Sequence, residues 1–171
     1  MTRRVGLRLL IAVLAASAVA LGWWLAQSLQ PERRPDFSLP DLDGGIRHIG
    51  EWDGHVVVLN FWGSWCPPCL KEIPVFNALQ ADYGGSGLRF VGVAVDRLGA
   101  ARAFTETTPL AYPSLIGVAD AMAVGRAYGN EDGAVPYTVI IDRDGIIRHR
   151  LRGEVDRDGL EPLLLALLDD R

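Results

Sequence analysis

Residues 55–74 read HVVVLNFWGSWCPPCLKEIP and contain the most informative structural pattern of the chain. Residues 55–61 are mostly apolar and rich in valine, which is the pattern of a strand buried on both faces of a sheet. After a turn at residues 63–65, apolar side chains recur at helical spacing as far as Tyr83. The sequence therefore predicts a buried strand that passes directly into a helix, with Cys66 and Cys69 at the junction.

The placement of the two cysteines favours redox chemistry. A cysteine attacks a disulfide only as the thiolate, and the free N–H groups and dipole of a helix N-terminus favour that charge on Cys66. Cys69 follows one turn later, within reach of a mixed disulfide formed at Cys66. An inert disulfide is the alternative, but so short a loop stabilises little by chain entropy. Pro67 and Pro68 suit a first turn, where N–H groups are unpaired anyway, and we expect them to alter the redox potential.

Composition argues against several other classes of protein. Two cysteines are too few for a disulfide-stapled scaffold, and the three histidines lack the spacing of a zinc site, so we predict neither a metal nor a cofactor. The net charge is −4, and the first 26 residues contain three arginines and no acid. The rest of the chain is more acidic still, which argues against non-specific nucleic-acid binding because that needs a basic face.

The N-terminal segment predicts a membrane anchor. Residues 9–26 read LLIAVLAASAVALGWWLA, an uncharged run at the lower limit of length for a helix that spans a bilayer. Arginines at positions 3, 4 and 8 precede this run, which by the positive-inside rule keeps the N-terminus in the cytoplasm and the rest outside. Trp23 and Trp24 fall near the outer end, where indole rings favour the interface. We therefore predict a single-pass signal anchor at residues 1–26.

A cleaved signal peptide is the alternative for this segment, since Ala18, Val19 and Ala20 resemble an A-x-A cleavage site. The apolar run continues past that site to Leu25, which favours an uncleaved anchor. Residues 27–35 are polar and contain two prolines, which predicts an extended linker. In a bacterium, either interpretation places the following domain, residues 36–171, on the periplasmic or outer side of the inner membrane.

Strands and helices alternate through the rest of the chain. Further strands are predicted at residues 88–95, 114–117, 137–142 and 146–151, and further helices at residues 99–107, 119–128 and 160–168. Residues 142–145, Asp-Arg-Asp-Gly, predict a hairpin turn between the last two strands. This order predicts an α/β sandwich around a mixed central sheet.

Three motifs resemble the thioredoxin superfamily and, within it, the TlpA/ResA-like group of membrane-anchored thiol–disulfide oxidoreductases. They are residues 56–74, PDFSLPDLDG at residues 35–44 and VPYTVIIDRDG at residues 135–145. The cytochrome c maturation thioredoxins are close relatives of that group. The resemblance covers nearly everything from residue 36 onward and implies a thioredoxin-like fold. Residues 98–118 match a helix and strand that the group inserts into the minimal fold.

The resemblance also implies roles for single residues. Cys66 corresponds to the attacking cysteine and Cys69 to the resolving one, which together form the redox disulfide. Pro136 corresponds to a cis-proline that faces the dithiol, while an ordinary trans proline is the alternative. The substrate-facing residues implied are Trp65, Pro67, Pro68 and Val135.

Glu72 matches an acidic residue that, in this group, lies near the cysteines and tunes their protonation. A solvated glutamate on the helix surface is the alternative. Ordinary thioredoxins carry an acid six residues before the first cysteine, but here that position is Asn60, which cannot accept a proton. Glu72 is therefore the better candidate to take the proton of Cys69.

Taken together, the residues and the resemblance predict an extracytoplasmic enzyme that reduces protein disulfides and is recharged by a membrane electron donor. Apocytochrome c or a copper chaperone would be suitable substrates. A peroxidase is one alternative, because Pro35, Asp36 and Phe37 also open peroxiredoxins, but the Pro and Thr pattern before a peroxidatic cysteine is missing. A Cu(I)-handling protein is another, because two thiolates can hold Cu(I), although no Met- or His-rich stretch lies nearby.

Overall fold

A computed structural model describes residues 16–24 and 30–169. The chain divides into two compact units, Met1–Glu32 and Arg33–Arg171. In the first unit, residues 16–24 are helical and exposed, and the rest of the predicted anchor lies outside the described residues. Among the residues described, no helix combines the length and the apolar character needed to cross a membrane.

The second unit includes part of the segment that was predicted as a linker. Arg33 forms an antiparallel bridge with Ile146, and the Arg34 N–H donates to the Gly145 carbonyl at 2.8 Å. These contacts join the entry segment to the hairpin turn between the last two strands, so the folded unit already begins at these arginines.

A mixed five-stranded sheet forms the centre of this unit, as predicted. Its strand order is β5-β4-β3-β6-β7, and a separate antiparallel hairpin of β1 and β2 precedes it. β3 runs parallel to β4 and antiparallel to β6, while β4 and β5 are parallel and β6 and β7 antiparallel. The strands are β1 (Ser38–Pro40), β2 (Ile46–His48), β3 (Val56–Trp62), β4 (Leu88–Val95), β5 (Ser114–Gly117), β6 (Tyr137–Ile141) and β7 (Ile147–Arg152).

Within residues 30–169, four α-helices accompany the sheet, and all of them were predicted from the sequence. They are α1 (Pro67–Tyr83), α2 (Leu98–Thr107), α3 (Ala119–Ala127) and α4 (Arg157–Asp169). α4 begins three residues earlier than expected because Asp156 caps it, accepting a hydrogen bond from the Gly159 N–H at 2.9 Å. The β1–β2 hairpin was not predicted, since each of its strands is only three residues long.

Every residue of β3 is buried, because the core lies on both faces of this central strand. Val57, Leu59 and Phe61 belong to one hydrophobic cluster, together with Tyr128 after α3. Val56 and Val58 point to the opposite face, into a second cluster built largely from α1 and α4. This alternation follows the two-residue period of a strand and holds β3 in place along its whole length.

We expect Phe76→Ala to destabilise the oxidised protein by about 3–5 kcal/mol, the usual cost of removing a buried phenylalanine. Phe76 is fully buried on α1 and stacks on Phe90 with ring centroids 5.0 Å apart. Equilibrium unfolding in urea would measure the loss. Val118→Ala, at a position that is 53% exposed, is the control and should change stability by less than about 0.5 kcal/mol. Equal effects of the two substitutions would contradict this account of the core.

Candidate active site

The two cysteines form a disulfide at the start of α1. Their Cα atoms are 5.3 Å apart. Cys66 is the N-cap residue with extended backbone dihedrals, and its Sγ accepts a hydrogen bond from the Cys69 N–H at 3.3 Å. Pro67 and Pro68 have no N–H, so Cys69 supplies the first backbone donor of this helix. A thiolate on Cys66 would meet both that donor and the positive end of the helix dipole.

Trp65 precedes the disulfide and is 61% exposed. Its indole Nε1 donates to the Val95 carbonyl at 3.2 Å, so the ring crosses from the end of β3 to the end of β4. A Cβ on Gly63 would lie 2.6 Å from that Nε1 atom, which is closer than any side chain permits. A side chain at position 63 would therefore displace the indole from its contact with Val95. Pro67 is also exposed.

Pro136 directly precedes β6, near the disulfide. Tyr137 of β6 pairs with Phe61 of β3, so the residue before Tyr137 falls beside the end of β3 that leads to Cys66. The Val135–Pro136 peptide bond is cis, which confirms the prediction for this bond. Val135 is partly buried and packs against the hydrophobic cluster that contains both cysteines.

Glu72 is buried, with only 1% of its surface exposed, so the surface alternative for this residue is wrong. It follows Cys69 by three residues and therefore shares its face of α1. Its Oε1 accepts a hydrogen bond from the Val155 N–H at 2.8 Å, whereas its Oε2 has no hydrogen-bond partner among the described residues. Burial raises the pKa of Glu72 to about 7, and the Val155 N–H and the Asn60 amide only partly offset this effect.

Asn60 occupies the centre of β3 beneath the active site. It is 2% exposed, and its Nδ2 donates to Thr138 Oγ1 on β6 at 3.0 Å. The position that holds an acid in ordinary thioredoxins is thus filled by a neutral amide that bonds within the sheet. Glu72 is the titratable side chain on the face of α1 that carries Cys69. Its pKa of about 7 suits a group that accepts and releases a proton near neutral pH.

The sequence analysis did not single out Asp96, although it contacts the active-site turn. Asp96 directly follows β4, is 9% exposed, and accepts hydrogen bonds from both the backbone N–H and the hydroxyl of Ser64. One signal could have found it. β3 and β4 are parallel neighbours, so the residues that follow them lie at the same edge of the sheet. An acid directly after β4 is therefore expected near the turn that follows β3.

A redox-active cysteine pair at the N-terminus of a helix, beside a cis-proline and on a mixed sheet, defines a thiol–disulfide oxidoreductase of the thioredoxin fold. Comparison with known proteins agrees. Residues 32–150 match the model of the AhpC/TSA family. The chain therefore belongs to the AhpC/TSA family of thioredoxin-fold proteins, and the resemblance seen in its motifs is confirmed.

Individual relatives support the same activity. The chain is 33% identical over 135 residues to the thiol-disulfide oxidoreductase ResA of Geobacillus thermodenitrificans, covering 78% of this chain and 75% of the relative. It is 31% identical over 157 residues to the thioredoxin-like protein YneN of Bacillus subtilis, covering 84% and 88%. A Chlorobium tepidum structure assigned as the thiol:disulfide interchange protein DsbE superposes with a TM-score of 0.74 at 32% identity, covering 81% of this chain and 97% of that one.

We expect the stability of the protein to depend on pH through Glu72. A carboxyl group whose pKa is higher in the folded than in the unfolded state stabilises the fold while it is protonated. That contribution is complete below the ordinary value of 4.5 and is lost as the pH rises to about 7. Between pH 4 and pH 8, Glu72→Gln should therefore gain stability relative to the parent by on the order of 3 kcal/mol.

Urea unfolding of the oxidised parent and variant at both pH values would measure this gain. Glu106→Gln, at an exposed position on α2, is the matched control and should leave the pH dependence of the parent unchanged. A parent and a Glu72→Gln variant with parallel stability curves would contradict the raised pKa.

Proposed function

We propose that this enzyme reduces protein disulfides outside the cytoplasm, in the maturation of c-type cytochromes, and that its N-terminal segment anchors it in the bacterial inner membrane. The observation that carries the proposal is the Cys66–Cys69 disulfide at a helix N-terminus with the buried carboxyl of Glu72 on the same helix face. The uncharged run at residues 9–26 and the arginines before it support the anchor. The resemblance to cytochrome c maturation thioredoxins supports the pathway.

The reaction begins with the reduced enzyme. The Cys66 thiolate attacks one sulfur of a substrate disulfide, a mixed disulfide forms, and the other substrate sulfur leaves as a thiolate that takes up a proton. Cys69 then gives its proton to the Glu72 carboxylate and attacks the sulfur of Cys66. This second step closes the Cys66–Cys69 disulfide and releases the second substrate thiolate. Two electrons pass from the enzyme to the substrate.

The groups around the dithiol support these roles. Trp65 and Pro67 are exposed beside Cys66 and offer contact area to a polypeptide substrate, and Val135 offers backbone next to Pro136. The pKa of about 7 lets Glu72 accept a proton from Cys69 and release it again near neutral pH. A membrane electron donor outside the cytoplasm then returns the enzyme to the dithiol form. Apocytochrome c, with its paired cysteines, and a copper chaperone are the substrates of suitable chemistry.

We expect Cys69→Ser to accumulate mixed disulfides with its substrates through Cys66, because the resolving thiol is missing. Cys66→Ser should trap far less, because only Cys66 is the N-cap residue, where the Cys69 N–H and the helix dipole favour its thiolate. Acid quenching, alkylation and identification of the trapped proteins by mass spectrometry would measure this difference. Equal trapping by the two variants, or none by Cys69→Ser, would refute the assigned roles.

The reduction potential of the enzyme decides the direction of electron flow. A value near roughly −270 mV, as in thioredoxin, fits a reductant, whereas a value near roughly −120 mV would instead indicate an oxidant that introduces disulfides. Peroxide consumption by Cys69→Ser would favour the peroxidase alternative, and stoichiometric copper in the reduced protein would favour Cu(I) handling.

We expect the full chain to remain in the membrane fraction after alkaline carbonate washing, with its thiols accessible from outside. A membrane-impermeant maleimide should label the reduced dithiol in intact spheroplasts, because the positive-inside rule directs the domain outward. Labelling only after lysis would contradict this orientation. A soluble product that begins after residue 20 would show that the segment is a cleaved signal peptide.

A further inference from the structure

Asp96 ties together the ends of three neighbouring strands at the active-site edge of the sheet. Its Oδ2 accepts hydrogen bonds from the Ser64 N–H at 2.8 Å and from the Ser64 hydroxyl at 2.7 Å. Its Oδ1 accepts from the Arg97 N–H at 2.7 Å. Its own N–H donates to the Gly117 carbonyl at the end of β5, at 3.0 Å. Both carboxylate oxygens are thus occupied by the turn after β3 and the start of α2.

The turn held by Asp96 leads directly into the attacking cysteine. Ser64 precedes Cys66 by two residues, and the Cys66 N–H closes the turn on the Gly63 carbonyl at 3.1 Å. The Trp65 indole makes a second tie from this turn to β4 through the Val95 carbonyl. The backbone that leads into Cys66 is therefore bonded to the end of β4 through both Ser64 and Trp65.

These contacts matter most when the disulfide is open. In the oxidised protein, the covalent bond to Cys69 fixes the Cys66 sulfur. After reduction that bond is gone, and the turn anchored by Asp96 and the helix N-terminus are what hold Cys66 opposite Cys69. A sulfur that is already held in place loses less conformational freedom when the disulfide closes again.

We propose that Asp96 is a positioning residue of the thiol–disulfide exchange, acting through Ser64 to hold Cys66 ready for attack and ring closure in the reduced enzyme. The proposal deepens the proposed function and rests on its assignment of Cys66 and Cys69. It predicts that the anchored turn makes the Cys66–Cys69 disulfide easier to form.

Asp142 offers a matched control at the opposite end of the sheet. Its carboxylate also holds a turn, accepting hydrogen bonds from the Asp144 and Ile146 N–H groups, both at 2.9 Å. It follows Ile141, which pairs with Val57 near the start of β3, whereas Cys66 follows the end of that strand. Removing the Asp142 carboxylate should lower the stability of the fold without changing the reduction potential or the reactivity of the dithiol.

The test is the equilibrium of the full-length protein with a glutathione redox buffer, together with the rate at which the reduced protein reacts with a small aromatic disulfide. In Asp96→Ala, the equilibrium constant for closing the disulfide should fall about tenfold, which is a potential about 30 mV less negative. The rate should fall by a similar factor. Asp96→Asn keeps an oxygen that can accept from Ser64, so both quantities should stay within about threefold of the parent.

Asp142→Ala should leave both quantities within about twofold of the parent even where its melting temperature falls. An unchanged potential and rate in folded Asp96→Ala would overturn the proposal, as would an equal change in Asp142→Ala. If Asp96→Ala does not fold, Ser64→Ala decides, since it removes only the hydroxyl contact. A change of about threefold supports the proposal, and parental values overturn it.

Because the buffer and the probe are small molecules, this test does not depend on the physiological substrate. If Cys69→Ser traps no protein while the Asp96 variants behave as expected, the proposed function fails and the positioning role stands. If trapping succeeds and the Asp96 variants match the parent, only the positioning role fails.

Discussion

The burial of β3 on both faces is the constraint on which the active site depends. All seven residues of that strand are buried, and five of them pack into two hydrophobic clusters on its opposite faces, which holds the strand in position. β3 ends at Trp62, so the turn that follows begins at a defined position at the edge of the sheet. Cys66 becomes the N-cap of α1 there, and the chemistry of the pair follows from that position.

Two buried carboxyl groups lie on the elements that hold the cysteine pair. Glu72 follows Cys69 by one turn on α1, where burial favours its protonated form. Asp96 reaches the turn from the end of β4, where three short hydrogen bonds from Ser64 and Arg97 satisfy its oxygens. The first group has an oxygen without a hydrogen bond to any described residue and can exchange a proton. Both oxygens of the second group accept hydrogen bonds, which suits the proposed role of holding the turn before Cys66 in position.

Much of the fold was accessible from local patterns. The continuous apolar runs of β3 and β4 predicted buried strands, and the turn at residues 142–145 predicted the hairpin of β6 and β7. The β1–β2 hairpin was not predicted because strands of three residues are too short to show an alternation of apolar and polar side chains. The start of α4 was placed late because Pro162 obscured the earlier cap at Asp156.

Local patterns were enough to predict the cysteine pair, its place at the start of a helix and the order of strands and helices, because these depend on spacing and on neighbours along the chain. The burial and hydrogen bonding of Glu72 and Asp96 came from the packing of distant segments. Glu72 is buried because the loop at Val155, 83 residues away, covers it and donates to it. Asp96 meets Ser64 across 32 residues because parallel strands bring their ends to one edge. A position in the sequence can make such a residue a candidate, but its burial and its hydrogen bonds to distant segments are properties of packing.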